Sequence, residues 1–483
     1  MGVVRKQSIQ NVLITYLGFF FGAINTVFLY TKILPDRYYG LVTFILAAAA
    51  LLMPVMSFGV HNTLVKFYSG YTDPQKKGFL SLMLVLPLLG IFPLALVLLL
   101  WEGAIENWVS QVNAMVGNYL WYIFFIGLAM GYFEVFYAWC KVRLKSVLGN
   151  FMKEVFARIG VFILLILFHF ELISLDFFFK ALVGLYLLRT LLIALFALRL
   201  ERPGLPPSVP GNIGDILSYS LLIILGGSSA LILLEIDKVM LNQFISIENI
   251  AYYGVAVYIA TVIIVPSRSM HQITYPLTAE LMNSGNHSAL ENLYKRSSLT
   301  LLIASGLLFI LIILNLEDLY LMLPKAYRDG YAIVFLIGLA KVIDSLLGNN
   351  NSILYNSPYY KTVLAFGVGL AVLTIGLNYW LIPRMGLLGA ALASFVSIFI
   401  FNLIKLVFVR IKFSIHPFGP ATYKVLALLV ALGLVFQFIP FGLHPLANIV
   451  LKSALVSVLF LGALYRFGLS EDVSTLLERY LKK

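Results

Sequence analysis

Apolar residues run along this chain in long unbroken blocks separated by short polar connections. Neither the period-two alternation of a half-buried strand nor the narrow apolar stripe of a soluble helix fits such blocks. A helix rising 1.5 Å per residue needs ~20 apolar residues to cross a hydrocarbon core about 30 Å thick, whereas a barrel strand needs about 10 alternating ones. The blocks have the helical length. Taken between their polar punctuation they predict about fourteen spans, at 8–31, 39–61, 78–101, 118–140, 150–170, 175–198, 216–242, 249–269, 296–316, 329–350, 360–381, 386–409, 420–440 and 446–466. The expected fold class is all-α: a polytopic membrane protein of about 14 transmembrane helices.

Composition agrees, since 61% of the 483 residues are hydrophobic and 12% charged, too few charges to cover a soluble surface. The formal net charge of +12 raises the question of nucleic acid. The basic residues, however, are scattered through short connections and form no arm or patch, so membrane topology explains them and nucleic acid is set aside. The alternate connections starting at the N-terminus hold most of them, among them Arg5, Lys6, Lys76, Lys77, Lys141, Arg143, Arg199, Arg202, Lys295, Arg296, Arg410, Lys412 and the tail residues Arg466, Arg479, Lys482 and Lys483. The opposite connections are poorer in Lys and Arg and carry Glu102, Glu106, Glu171 and Asp176. By the positive-inside rule both termini are expected in the cytoplasm. Arg5 and Lys6 precede a block too long for a signal-peptide core, with no small-x-small cleavage site behind it, which predicts an uncleaved first span. Cys140, the single cysteine, allows no intramolecular disulfide, and the six histidines have no metal-ligand spacing, so no metal or cofactor is expected.

No connection is long enough for a separate soluble domain. Residues around 270 to 296, with Ile273, Leu277, Leu281, Leu290 and Leu293 among polar neighbours, are expected to form an amphipathic helix on the cytoplasmic surface. The tail reads similarly, with Ser470 as helix cap and Val473, Leu476, Leu477 and Leu481 on one side. An internal repeat organises the rest. Tyr38-Tyr39-Gly40 follows the first span and precedes one containing Pro54; Tyr252-Tyr253-Gly254 follows the seventh and precedes one containing Pro266. Adding the offset to spans one to six gives approximately the starts of spans seven to twelve. This predicts a six-helix lobe at 1–212, a second at 213–413, two appended spans at 414–468 and a cytoplasmic tail at 469–483. Six spans is an even number, so the copies insert in the same orientation, related by an axis along the membrane normal, with a substrate cavity expected between them.

Ser8 through Tyr68, with its uncleaved first span, the Leu34-Pro35-Asp36-Arg37-Tyr38-Tyr39-Gly40 turn and Ser57-Phe58-Gly59 closing span two, resembles the start of the polysaccharide-biosynthesis oligosaccharide flippases. These belong to the multidrug/oligosaccharidyl-lipid/polysaccharide exporter superfamily. The resemblance extends over the chain through the six-plus-six-plus-two plan and an Asp-Lys near the end of span seven. It implies two lobes, alternating access, and movement of lipid-linked sugars from the cytoplasmic to the outer leaflet of a bacterial inner membrane.

An ionisable residue in mid-membrane costs about 2.5–3.5 kcal/mol on insertion scales, so each one is a functional candidate. Arg189 falls near the centre of span six, Lys341 near that of span ten, and Arg158 in the cytoplasmic half of span five. These three cations are the candidates for binding substrate in the cavity, where the pyrophosphate of a lipid-linked sugar suits the donor fork of arginine and the point charge of lysine. Internal ion pairs or snorkelling are the other readings. Asp344, three residues after Lys341, shares its helical face and can neutralise it. Lys405 is close enough to a span end to snorkel and is discounted. Among the acids, Glu134, Asp237 and Asp344 are the ion-coupling candidates. Glu235 and Lys238 are three apart and predict a structural pair, with Asp237 rotated by about 160° from them. Asp237 either faces the cavity, where it can take up a cation, or hydrogen-bonds neighbouring helices. Gly226-Gly227-Ser228-Ser229 predicts close helix approach, and Asn349-Asn350-Asn351 a polar cytoplasmic turn.

Three function classes compete. A flippase for a polyprenyl-pyrophosphate-linked oligosaccharide, serving surface polysaccharide such as O-antigen or lipopolysaccharide, fits the repeat and the deep cations. A cation-coupled small-molecule exporter of the multidrug type is the alternative, and it would favour a cavity dominated by acids and aromatics. A membrane glycosyltransferase or polymerase would need a substantial catalytic loop, and the chain has no room for one, so no enzyme and no catalytic residue is expected. No GxxxxGK phosphate loop is present, so ATP is not the expected energy source. Export of an anionic headgroup through a potential negative inside is favoured by about 2.3 kcal/mol per charge per 100 mV. Return of H+ or Na+ would add to it. The expected partners are the lipid-linked oligosaccharide, membrane lipids and polysaccharide polymerase machinery.

Overall fold

A computed structural model describes residues 2–204, 210–439 and 441–481. Lys482 and Lys483 lie outside the described residues, as do the side chains of Arg5, Lys6, Leu476, Leu477, Arg479 and Leu481. Every regular element among the described residues is helical. Among the described residues ten helices are long and apolar enough to cross a bilayer, or eleven if the pair Ile213–Gly226 and Leu231–Leu241, bent by 52°, is one span.

The difference from the expected fourteen has physical causes. Segments 360–381 and 386–409 run together as Lys361–Phe413, 53 residues, which as a straight rod would be about 80 Å long and could not fit a core of about 30 Å. Gly386 breaks it with φ 56°, ψ −130°, a conformation that glycine adopts without a steric penalty. Segment 150–170 is helical in pieces, Ser146–Phe151, the π-helical Met152–Phe156 and Ala157–His169, and carries Lys153, Glu154 and Arg158. Segment 329–350 holds Tyr331–Leu346, 16 residues, about 24 Å long and short for a full crossing.

Residues expected to form a surface helix around 270 to 296 are divided between two helices. Val265–Asn283 follows Glu248–Thr261 across the 3-10 turn Val262–Ile264, within a 36-residue helical run; the chain turns at Gly285, φ 67°, into His287–Leu314. Thr274 and Thr278 are buried while Ile273 and Leu277 are exposed, which keeps the two-sided character on a longer element. Ser470 Oγ accepts from the Val473 amide at the start of Glu471–Leu481, and Asp472 pairs with Arg296, fastening the tail helix to His287–Leu314.

Contacts divide the chain into two compact units, Met1–Gly254 with Gly367–Gly386, and Val255–Phe366 with Leu387–Lys483. They group the residues differently from the lobes of the repeat, because span seven and part of span eleven go with the N-terminal helices. The first unit packs around Phe79, Met83, Phe133 and Trp139. The second packs around Leu302, Val425, Phe460 and Leu464, with a smaller cluster at Tyr294, Leu354 and Val409.

Within the first unit the two Tyr-Tyr-Gly segments meet, each near the start of a helix, Asp36–Met56 and Glu248–Thr261. A Cβ on Gly40 would lie 1.9 Å from the Ile247 carbonyl oxygen, and one on Gly254 would lie 3.2 Å from Thr43 Cγ2. Tyr252 donates to Asp36 at 2.9 Å. The second tyrosine of each segment reaches back along the chain: Tyr39 donates to the Thr26 carbonyl at 3.0 Å, and Tyr253 to Asp237 at 2.6 Å. Buried Asn113 completes this end of the unit. Its Nδ2 donates to the Asn242 and Ile245 carbonyls at 3.0 Å each, and its Oδ1 accepts from the Ile247 amide at 2.8 Å. The backbone approach at Gly40 leaves no room for a side chain, so Gly40→Val should lower the thermal midpoint of the purified protein, by the equivalent of about 1–3 kcal/mol of overpacking. Gly254→Ala should cost less, and equal midpoints for Gly40→Val and the parent would refute the close approach.

Candidate functional site

The first unit carries most of the charges singled out in the sequence, and its packing treats them unequally. Arg189 sits on Leu175–Leu200, a 26-residue helix started by Ser174, whose hydroxyl accepts from the Phe177 amide. It is 6% exposed. Its guanidinium carbon lies 4.2 Å from the Phe133 ring and 4.7 Å from the Tyr186 ring. Nε is buried without a hydrogen-bond partner, and no carboxylate pairs with the group among the described residues. Cation–π contact contributes about 0.5–2 kcal/mol per ring. That offsets only part of the desolvation of an unpaired cation.

Arg158 is neutralised locally. Its Nη1 lies 2.9 Å from Glu154 one turn earlier, in a segment where the π-helical Met152–Phe156 shifts the register. Asn25 Nδ2 donates to the Arg158 carbonyl at 2.7 Å, from a second π-helical stretch, Ile24–Leu29. Glu134, on Leu120–Val142, pairs with Lys153 at 2.6 Å.

The span-seven charges separate into a pair and a tie. Lys238 Nζ is 2.7 Å from Glu235 Oε2, both partly exposed. Asp237 is 4% exposed and accepts from Tyr253 Oη at 2.6 Å and from Asn378 Nδ2 at 2.7 Å. It therefore joins its own helix to Glu248–Thr261 and to the first part of Lys361–Phe413. Asn378 Oδ1 remains buried without a hydrogen-bond partner. The Gly226-Gly227 stretch is a π-helical turn, Ile223–Gly227, and the close approach comes from Gly367, whose Cβ would meet Ser229 Oγ at 2.5 Å.

In the second unit, Lys341 is 8% exposed. Asp344 pairs with Lys405 at 3.7 Å, and Lys405, 2% exposed, also donates to Asn351 Oδ1 at 3.1 Å. Lys405 does not snorkel; it is held inside by two polar groups. The asparagine run does begin at a turn, and that turn is buried: Asn349 is 0% and Asn350 1% exposed. Asn349 Nδ2 donates to Thr278 and Asn350 Nδ2 to Tyr294, which ties the turn to two helices.

Counting depth along single spans missed Lys405, Asn113, Asn378 and Tyr253. For Lys405 a signal existed. Ser394, Ser397, Asn402 and Lys405 recur at three- to five-residue intervals, a polar stripe in an apolar span, and all four are buried. Ser397 Oγ and both amide atoms of Asn402 have no hydrogen-bond partner. Asn113 and Asn378 carry no such pattern, since their partners lie more than a hundred residues away.

The profile of the family described as "Polysaccharide biosynthesis protein" matches residues 4–282. The chain belongs to that family. No curated protein matches the sequence. Among solved structures, this chain is similar to the lipid II flippase MurJ in an inward closed conformation, with TM-score 0.68 and 16% identity over 95% of this chain and 98% of that one. It is similar also to an inward-facing multidrug resistance MATE family transporter of the MOP superfamily, with TM-score 0.60 and 14% identity over 86% and 99% of the two chains. A MOP superfamily transporter from Pyrococcus furiosus, described as having a binding pocket of reverse polarity, follows with TM-score 0.57 and 13% identity over 85% and 95%. At these identities the likeness is one of fold. The polytopic helical membrane architecture of this family member is the one those transporters share.

The bonds to Asp237 make a direct test of its structural role. Hydrogen bonds to a charged group contribute about 1.5–3 kcal/mol each, so Tyr253→Phe and Asn378→Leu should each lower the thermal midpoint of the purified protein. Unchanged midpoints in both variants would show that Asp237 does not tie these helices.

Proposed function

We propose that this protein is a flippase that moves a polyprenyl-pyrophosphate-linked oligosaccharide from the cytoplasmic to the outer leaflet of the inner membrane, for surface polysaccharide biosynthesis, by alternating access. The observation that carries the reading is Arg189, a buried cation with an unsatisfied Nε and aromatic rather than acidic neighbours. An arginine held in this way keeps its donor fork for an anion that arrives and leaves, and a pyrophosphate has the oxygens to meet it bidentately. Arg158 and Lys341 are the further proposed substrate-binding cations, Arg158 by exchanging Glu154 for substrate oxygens. The buried stripe of Ser397 and Asn402, with polar atoms that have no protein partner, suits sugar hydroxyls. The family and the fold it shares with a lipid II flippase and MATE transporters favour transport over catalysis.

Asp237 is the proposed coupling carboxylate, and the unpartnered Oδ1 of neighbouring Asn378 gives a small cation or a proton-bearing water a second oxygen. Glu134 and Asp344 already neutralise lysines and are secondary. Both termini are assigned to the cytoplasm on the charge bias of the connections, next to polymerase machinery that consumes the exported unit. A second reading, a cation-coupled exporter of small molecules, has in its favour the fold shared with MATE family transporters. An unpaired deep arginine would repel the cationic compounds such an exporter favours.

Arg189→Ala should cut movement of lipid-linked oligosaccharide to the outer leaflet by roughly ten- to a hundredfold, the loss of one charge-assisted hydrogen bond. Leaflet accessibility of the glycan in cells making normal amounts of folded variant gives the measurement, and Arg189→Lys should retain part of the activity. Full export by Arg189→Ala would remove the cation from the path. Normal surface glycan with altered drug sensitivity in a deletion strain would establish the second reading instead.

A further inference from the structure

One cavity belongs to none of the charges above. It lies wholly in the second unit, about 460 Å³ in volume, between the helices His287–Leu314, Tyr331–Leu346 and Pro420–Gln437. Its walls are apolar along most of their length, through Ile310, Phe335, Leu429 and Leu434. Two glycines open it. Gly306 lets Leu429 lie where a side chain would otherwise stand, since a Cβ there would meet Leu429 Cδ1 at 2.4 Å, whereas a Cβ on Gly433 would meet only Ile310 Cγ2, at 3.9 Å. Phe335 is 40% and Leu434 55% exposed, so the slot gives onto the lipid-facing surface and its contents can exchange with the bilayer.

Charge stands at one end only. Glu317, Gln437 and Lys452 line the cavity where His287–Leu314 ends and Pro445–Arg466 begins. Glu317 is exposed and has no hydrogen-bond or ion-pair partner among the described residues. Lys452 donates to the Leu314 carbonyl at 3.0 Å and stands 4.0 Å from Asp318, which leaves an ammonium proton free for a further acceptor. An apolar slot ending in one free carboxylate and one incompletely used ammonium matches an amphiphile that carries both a phosphate and a primary amine.

We infer that this slot binds one acyl chain of an aminophospholipid, with the lipid phosphate on Lys452 and its ammonium on Glu317. Charge complementarity selects this occupant. An anionic phospholipid would leave Glu317 unpaired beside a phosphate, and an isoprenoid pyrophosphate would set at least two negative charges against it. The site is independent of Arg189 and of the proposed transport activity. It would act as a lateral anchor for bilayer lipid, and a filled slot would brace Pro420–Gln437 against its neighbours.

The test uses the full-length protein in nanodiscs of equal phosphatidylethanolamine and phosphatidylglycerol, followed by native mass spectrometry of retained lipid. The unmodified protein should retain one phosphatidylethanolamine in preference to phosphatidylglycerol. Glu317→Gln should lower that preference by about two- to fivefold, the effect of one partly exposed charge pair, and Gly433→Leu should remove the retained lipid by filling the slot. Equal retention of the two lipids by the unmodified protein, full retention by Gly433→Leu, or a co-purifying isoprenoid phosphate in place of phospholipid would each overturn the assignment. If Gly433→Leu does not fold, the comparison with Glu317→Gln decides, because that surface substitution leaves the packing untouched.

Discussion

A charge within hydrocarbon has to be neutralised close by or reserved for something that moves, and much of this structure follows from that constraint. Glu235 with Lys238, and Arg158 with Glu154, solve it within one helix turn. Glu134 with Lys153, and Asp344 with Lys405, solve it between helices, and thereby fix which faces those helices present. Asp237 accepts from neutral donors on two other helices. Arg189 has aromatic rings beside it and no paired carboxylate among the described residues, and on that difference its proposed binding role rests.

The same constraint explains why the polar residues that matter are more than the charged ones. Asn113, Asn349, Asn350 and Asn378 lie inside, and each spends its amide on groups far away in sequence. A buried amide of this kind is directional where apolar packing is not, so it sets the register of helices that could otherwise slide along one another. The slot at Gly306 and Gly433 shows the opposite regime. There the walls are apolar along most of their length, polar groups stand at one end only, and space is left for a guest.

Much of the architecture was legible in the lengths of the apolar blocks, because the bilayer thickness fixes how many residues one crossing takes. Where the reading departs from the structure, the cause is local: Gly386 interrupts a helix that hydropathy counts as two blocks, and the charges of 150–170 together with the brevity of Tyr331–Leu346 blur two further crossings. The site was less legible. Spacing of three is enough to anticipate Glu235 beside Lys238, because both ends of the contact lie on one helix face. Lys405 beside Asp344 joins residues sixty-one apart, and depth counted along a single helix says nothing of what faces it from another. Tyr253 was visible as part of a repeat, yet its hydroxyl's destination at Asp237 depended on helix packing that no local pattern encodes.

The meeting of the two Tyr-Tyr-Gly segments limits how the chain can vary. Gly40 takes the backbone of Ile247 against it, and Gly254 lies against the side chain of Thr43, so the two segments fill each other's space at two separate points. Positions 40 and 247, and positions 254 and 43, are thereby bound to change together, because enlargement of a residue on one side has to be matched by retreat on the other.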